Sequence, residues 1–320
     1  AYGRIGTKAV LDMMLTGRPV GSKDAIESGL ADEMVDSADD LAVAMRAWML
    51  SCNGVKPARS QREATADASA ISAARDSYLK RARADHTPAP FAIVDHVAAF
   101  GHDSAAMSAG EMGIFPELMV GDASKNLRRV FYLTDAVRKS ARGDSGIQRL
   151  HVVGAGVMGG DIAAVGAMAG LDVTLTDMNE AAIDGAIARA AKLFERRLKT
   201  DDKIAAAKSR LRADKDGNGA GDADLIIEAV AEKLAVKQAV FQALEAASKP
   251  DAILATNTSA IPLEDIATAL KAPERLIGLH FFNPVPVLPL VEVIWSEFSD
   301  QDMVNRGMQF AGRIGKMPIR

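Results

Sequence analysis

One glycine run constrains this chain more than any other feature. His151-Val152-Val153-Gly154-Ala155-Gly156-Val157-Met158-Gly159 sits between an apolar strand and an apolar helix. Leu150 to Val153 read as a short buried strand, and Val157 to Ala169 read as a helix that stops at Gly170. In that context Gly154 makes the tight turn, Gly156 lets a ligand approach the backbone, and Gly159 allows the helix to pack closely on the strand. The helix start offers unpaired N–H groups and the positive end of its dipole, together a site for an anion such as a pyrophosphate.

Strand and helix alternate from there on. A strand is expected over Asp172 to Thr176, a long helix to about Lys199, a strand over Leu225 to Val230, and a helix to Ala247. Further strands are expected near Ile253 and over Leu276 to Phe281. This alternation predicts an α/β fold, a Rossmann-like parallel sheet wound on both faces. The second strand ends at Asp177, at the distance where a carboxylate would accept hydrogen bonds from a ribose diol. An acid there repels a 2′-phosphate, and Met178 and Asn179 bring no cation, so the residues favour NAD over NADP. The alternative is an aspartate that only caps the following helix. A second acidic run, Asp214-Lys215-Asp216-Gly217-Asn218-Gly219, imitates a calcium loop, but Leu225 stands where the bidentate Glu would be. A surface turn is expected there, and no metal.

Ligands bind such sheets beyond the carboxyl ends of the strands, and the remaining polar signals fall there. Asn257-Thr258-Ser259 follow the apolar run Ala252 to Ala255; His280 and Asn283 lie in Gly278-Leu279-His280-Phe281-Phe282-Asn283-Pro284-Val285-Pro286. A histidine suits alcohol oxidation, because its ordinary pKa of about 6.5 lets it take the hydroxyl proton. Glu292, set among Leu290, Val291, Val293 and Ile294, is the acid that can fix its tautomer and stabilise the imidazolium. His86, His96 and His102 lack convergent acids or cysteines and read as surface residues.

The first half is helical in pattern. Ala9 to Leu15 precede a break at Thr16-Gly17-Arg18-Pro19, and a helix capped by Ser22 stops at Gly29. Residues from about 53 to 90 are polar and weakly periodic, a mixture of linker and solvated helix. Short packing helices are expected from Ala89 to a turn-rich boundary at Arg142-Gly143-Asp144-Ser145-Gly146. The 320 residues, 48% hydrophobic, suffice for two or more units. A net charge of -4 without a Lys/Arg run argues against nucleic acid as the main partner. Cys52 is the one cysteine, so no internal disulfide forms. No apolar stretch approaches the ~18 to 20 residues of a membrane helix, and the chain reads as soluble and intracellular.

With these residues in place, residues 149–320 resemble the NAD-binding domain of the 3-hydroxyacyl-coenzyme A dehydrogenases. The match rests on Gly154 through Gly159, on Ile227-Glu228-Ala229-Val230 with Glu232 and Lys237, on Asn257-Thr258-Ser259, and on Gly278 through Pro286. The resemblance implies His280 as catalytic base, Glu292 as its partner and Ser259 as a hydrogen-bonding group for the substrate 3-oxygen. It implies a cofactor site formed by Gly154, Gly156, Val157, Met158, Gly159, Asp177, Glu232, Lys237, Ser259 and Asn283. The implied reaction is oxidation of (S)-3-hydroxyacyl-CoA to the 3-oxoacyl-CoA with NAD.

Leu11 through Arg18 and Ala25 through Val35 resemble the end of an enoyl-CoA hydratase domain of the crotonase type, and Ser124 through Leu133 resembles the linker helix of multifunctional fatty-acid oxidation proteins. These resemblances imply a piece of such a protein's alpha subunit. Residues 1–50 would be a hydratase tail, 51–147 a linker with packing helices, and 148–320 the NAD-binding domain. They also imply an acyl-CoA substrate, a thiolase subunit as partner and a homo-oligomer at full length, in a bacterial-type cytoplasm or in mitochondria. The family's hydratase glutamates and its C-terminal helical domain have no counterpart here. The rival readings are a short-chain 3-hydroxybutyryl-CoA dehydrogenase and a non-catalytic NAD-binding scaffold.

Overall fold

The computed structural model describes residues 2–53, 66–80, 82–101 and 103–320. Two compact units divide between Val130 and Phe131. The first holds α1 (Tyr2–Ile5), α2 (Thr7–Thr16), α3 (Ser22–Ser28), α4 (Ala38–Ser51), α5 (Ala68–Leu79), α6 (Pro88–Phe100) and α7 (Ser104–Val120), and α8 (Asp122–Ser140) runs across the division. Its small core is Leu11, Val94 and Val97, against which Leu15, Ile71, Ala74, Ile93 and Met107 pack. α2 and α3 end at Gly17 and Gly29, both left-handed, as their sequence predicts.

Three expectations for this half change. Ser22 is the first residue of α3 and not its cap; Gly21 holds the cap position without a side-chain bond. His96 is no surface residue: it is half-buried, its Nε2 is 2.7 Å from the Met107 carbonyl, and its ring meets Phe100 edge-on. The polar stretch read as linker contains α5, whose Ile71 and Ala74 join the core. His86 is exposed, whereas His102 and residues 54–65 lie outside the described residues.

The second unit is one sheet with helices on both faces. In chain order it runs β1 (Arg149–Val153), α9 (Val157–Met168), β2 (Asp172–Thr176), α10 (Glu180–Arg197), α11 (Asp201–Arg210), β3 (Leu211–Ala213), β4 (Leu225–Glu228), α12 (Leu234–Ala247), β5 (Ile253–Thr256), α13 (Leu263–Ala267), β6 (Leu276–Phe281), β7 (Leu290–Ile294), α14 (Gln301–Arg313) and β8 (Met317–Ile319). The strand order is β3-β2-β1-β4-β5-β6-β7-β8. The chain moves outward from β1 to β3 and then returns to place β4 beside β1. The crevice beyond β1 and β4 is therefore the point where winding reverses, the place where such sheets take ligands.

The sheet is mixed rather than wholly parallel, because β7 runs antiparallel to β6. Residues 282–289 are too few for the crossover of roughly a dozen residues that a parallel return needs, so the chain turns back directly. β3 escaped the periodicity reading because it has three residues and a single buried one, Leu211. β4 stops at Glu228, short of the expected Val230.

Side chains alternate across the sheet. Val152, Ile227, Ala255, Leu279 and Val293 enter a core shared with Ile162, Phe194 and Phe310, while Ile226, Leu254 and Leu276 face Phe241, Leu263 and Ile266 on the other side. Leu279, Phe281, Val291 and Val293 all belong to the first core, so His280 and Glu292 between them project from the opposite face.

His151 on β1 is fully buried. Its Nδ1 shares a 2.8 Å hydrogen bond with Thr174 and lies 3.7 Å from the Asp214 carboxylate, while its Nε2 has no partner. An imidazolium would need acceptors at both nitrogens. Burial accordingly pushes the His151 pKa down to about 4, against a smaller upward pull from Asp214. A depressed histidine contributes stability above its unfolded pKa of 6.5 and loses it as pH falls toward 4. The expected loss is about 3 kcal/mol. Urea midpoints from pH 7 to pH 4 for the unsubstituted chain and for His151→Gln test this; the difference should narrow across that window, and parallel curves would contradict it. Asp214 itself accepts the Asn218 and Gly219 N–H groups at 3.1 and 2.7 Å, which makes the acidic run a carboxylate-closed turn.

Candidate active site

The glycine turn lies at the winding reversal. Gly154 has φ +103, and a Cβ there would stand 2.6 Å from the Ala229 carbonyl oxygen of the neighbouring strand end. A Cβ on Gly159 would fall 1.8 Å from the Gly154 carbonyl oxygen. Both glycines are thus demanded by the chain's own packing. Gly156 differs: a Cβ there meets nothing within 4 Å, and no side chain caps the helix it precedes. The chain's own packing does not require glycine at that position, and the turn is open there to a ligand. Asp177 closes the turn from β2, with Oδ2 accepting the Ala155 N–H at 2.7 Å and Oδ1 the Asn179 N–H at 2.8 Å. Asn179, not Asp177, caps α10 through the Ala181 N–H.

Near the end of β6, His280 stands opposite Glu292 of β7 in the antiparallel register, with Nδ1 2.8 Å from the carboxylate Oε2. A carboxylate can only accept, so Nδ1 carries a proton, and in the neutral ring Nε2 is then the atom with the lone pair. The Phe282 ring lies 4.6 Å from the imidazole, centroid to centroid. The pair is half-open, with side-chain exposures of 17% for His280 and 41% for Glu292, so a substrate can reach it.

The turn after β5 is pinned on both sides. Asn257 Oδ1 accepts the Phe281 N–H at 2.9 Å, which ties this turn to the residue after His280. Glu232 accepts the Thr258 hydroxyl and, at 3.2 Å, the Ser259 N–H. Burial pushes the Glu232 carboxyl up, but bonds from Thr258 and Lys237 together with the Lys237 charge outweigh it and hold the group below the ordinary range. Ser259 is exposed beside these anchors, and Asn283 is exposed at a cis peptide bond to Pro284. Lys237 is placed differently from a lining residue: it is buried, salt-bridged to Glu228 at 2.8 Å and to Glu232 at 3.2 Å.

Residues 149–320 match the family described as 3-hydroxyacyl-CoA dehydrogenase, NAD binding domain. The chain belongs to that family. The fatty acid oxidation complex subunit alpha of Shewanella baltica is 31% identical over 334 aligned residues, which take in 98% of this chain and 47% of that protein. The chain therefore spans about half the length of the curated relatives it matches. Among solved structures, FadB2 of M. tuberculosis is 44% identical with a TM-score of 0.53, over 54% of this chain and 63% of that one. The 3-hydroxybutyryl-CoA dehydrogenase of Escherichia coli is 37% identical with a TM-score of 0.53, over 54% and 38%.

A 3-hydroxyacyl-CoA dehydrogenase NAD-binding domain takes NAD, and the residues present fit it. The open space over Gly156, the uncapped start of α9 and the Asp177 carboxylate supply an anion cradle and an acceptor at the spacing a dinucleotide needs. Two groups were given no role in the reading of the sequence. Arg189 on α10 donates to the Gly156 carbonyl at 3.2 Å and brings a cation to the glycine turn. Glu228 is fully buried at the end of an otherwise apolar strand. An acid in that setting requires a partner, and that requirement was the signal available in the sequence.

Proposed function

We propose that the second unit oxidises (S)-3-hydroxyacyl-CoA esters to 3-oxoacyl-CoA esters. The observation that carries this reading is the His280–Glu292 pair, held at 2.8 Å and tied through Asn257 to the turn that presents Ser259. NAD supplies the hydride acceptor when bound. His280 Nε2 takes the proton of the 3-hydroxyl, and Glu292 stabilises the resulting imidazolium and keeps the ring in the orientation that exposes Nε2. Ser259 offers its hydroxyl to the 3-oxygen. Gly154, Gly156, Val157, Met158 and Gly159 cradle the dinucleotide; Asp177, Glu232 and Asn283 face it.

For the residues before the sheet we favour a hydratase tail over residues 1–50 and a linker over 51–147, on the strength of the Shewanella alignment across nearly the whole chain. A thiolase-type subunit and self-association are the expected partners of the whole protein, and its expected location is the cytoplasm. No helix among the described residues is long and apolar enough to cross a membrane.

The test is the reduction of acetoacetyl-CoA by the full-length gene product, followed as loss of NADH absorbance. Consumption that depends on both reactants supports the proposal. A protein that binds NADH yet leaves acetoacetyl-CoA and its longer homologues untouched would overturn it in favour of a scaffold.

A further inference from the structure

Gly278 and His280 alternate onto one face of β6, and Glu292 and Ile294 onto the same face of β7. A Cβ on Gly278 would stand 2.7 Å from the Ile294 Cβ, so the missing side chain there is what admits Ile294 to the face that carries the His280–Glu292 pair. Between the segment from Ser259 to Glu264 and the end of β7 lies a hollow of about 210 Å³. Ile261, Leu263, Ile294 and Trp295 give it apolar walls, and Ser259 is part of its lining. Trp295 directly follows β7, joins neither core of the sheet and is 47% exposed. Among the described residues that line the hollow, Glu264 is the one charged group, and its carboxylate already accepts the Ser296 hydroxyl.

The chemistry of the substrate decides what such a hollow can hold. C3 of a 3-hydroxyacyl-CoA carries an oxygen, a hydrogen and two carbons. The oxygen belongs at Ser259 and His280 Nε2, and the hydrogen leaves as hydride. Of the two carbons, C2 leads to the thioester and the phosphates of coenzyme A, and C4 leads to the hydrocarbon tail. Both stand two bonds from the oxygen that Ser259 meets, so one of the two branches enters the space beside Ser259. Walls of Ile, Leu and Trp with an acid and no cation among the described lining residues disfavour the polyanionic branch and favour the hydrocarbon.

We propose that this hollow receives the acyl chain beyond C3, and that Trp295 is a specificity-determining residue for its length. The proposal rests on the dehydrogenase reading above and names the end of the substrate that lies over β7. The indole is the largest apolar surface in the lining. Each methylene taken out of water against these walls should raise kcat/KM by about fourfold, until the hollow is filled.

The experiment compares acetoacetyl-CoA with 3-oxooctanoyl-CoA as substrates for NADH oxidation by the full-length gene product. The quantity read is the ratio of the two kcat/KM values, octanoyl over acetoacetyl; both are measured on one sample, so the fraction of folded enzyme cancels. Trp295→Ala removes a wall, and Ala260→Phe adds a ring to the lining and occupies the space. Each should lower the ratio at least about tenfold relative to the unsubstituted protein. A ratio within about twofold of the unsubstituted value in either variant would place the tail elsewhere and overturn the proposal. An unsubstituted protein that turns over neither substrate would remove the dehydrogenase reading itself, a result distinct from an unchanged ratio.

Discussion

Replacing His280 by Gln in the full-length gene product is expected to lower the rate of 3-hydroxyacyl-CoA oxidation by about 10²–10⁴-fold while leaving NADH affinity within about twofold. Gln keeps the hydrogen-bonding length but has no group that titrates near neutrality, so the 3-hydroxyl proton has no acceptor. Glu292→Gln should lose less. The imidazole would remain, but its Nδ1 would face an amide that cannot stabilise the positive ring, so proton transfer should slow. Steady-state rates with NADH titrations on the same samples separate chemistry from binding. Retained turnover in the His280 variant would remove the base assignment, and lost NADH binding would show that the substitution damages more than proton transfer.

The second large effect separates two glycines of the same turn. Gly159→Ala places a methyl group 1.8 Å from the Gly154 carbonyl oxygen, a backbone atom that can withdraw only if the turn itself moves. We expect a loss of about 2–3 kcal/mol in stability together with the nucleotide site. Gly156→Ala places its methyl group in open space, at a backbone conformation of φ -61 that any residue adopts. Its stability should stay within about 0.5 kcal/mol of the parent, while NADH affinity falls by at least about tenfold, because the methyl group occupies the ligand's approach. Thermal or urea unfolding alongside NADH titration resolves the two. If Gly156→Ala binds NADH normally, the turn is not where the pyrophosphate rests.

The glycine turn was legible because its spacing reports three separate steric demands, and two of them reappear as close approaches to Gly154 and Ala229 backbone atoms. The position of His280 was legible for a different reason: an apolar run followed by the prolines at 284, 286 and 289 marks a strand end, and the glycine signature made a histidine there a candidate. Its pairing with Glu292 was proposed from chemistry alone. The antiparallel strand that delivers the pairing was not foreseen, since the sequence pattern of a buried strand is the same in either direction and only the length of residues 282–289 decides. The Glu228–Lys237 cluster went unread because its members come from a strand, a connecting loop and a helix, and only the winding of β4 beside β5 brings Thr256 and Thr258 to them. His96 was misassigned for a related reason: packing of α6 on α7, not local polarity, buries it.

The measurement that tests the account most directly is a fluorescence titration of the 320-residue chain with NADH, with NADPH in parallel and circular dichroism on the same sample. Asp177, fixed by the Ala155 and Asn179 N–H groups at the end of β2, should admit the ribose diol and repel a 2′-phosphate. The account predicts saturable NADH binding at least about tenfold tighter than NADPH. A folded chain that binds neither nucleotide, or binds NADPH as well as NADH, would contradict it.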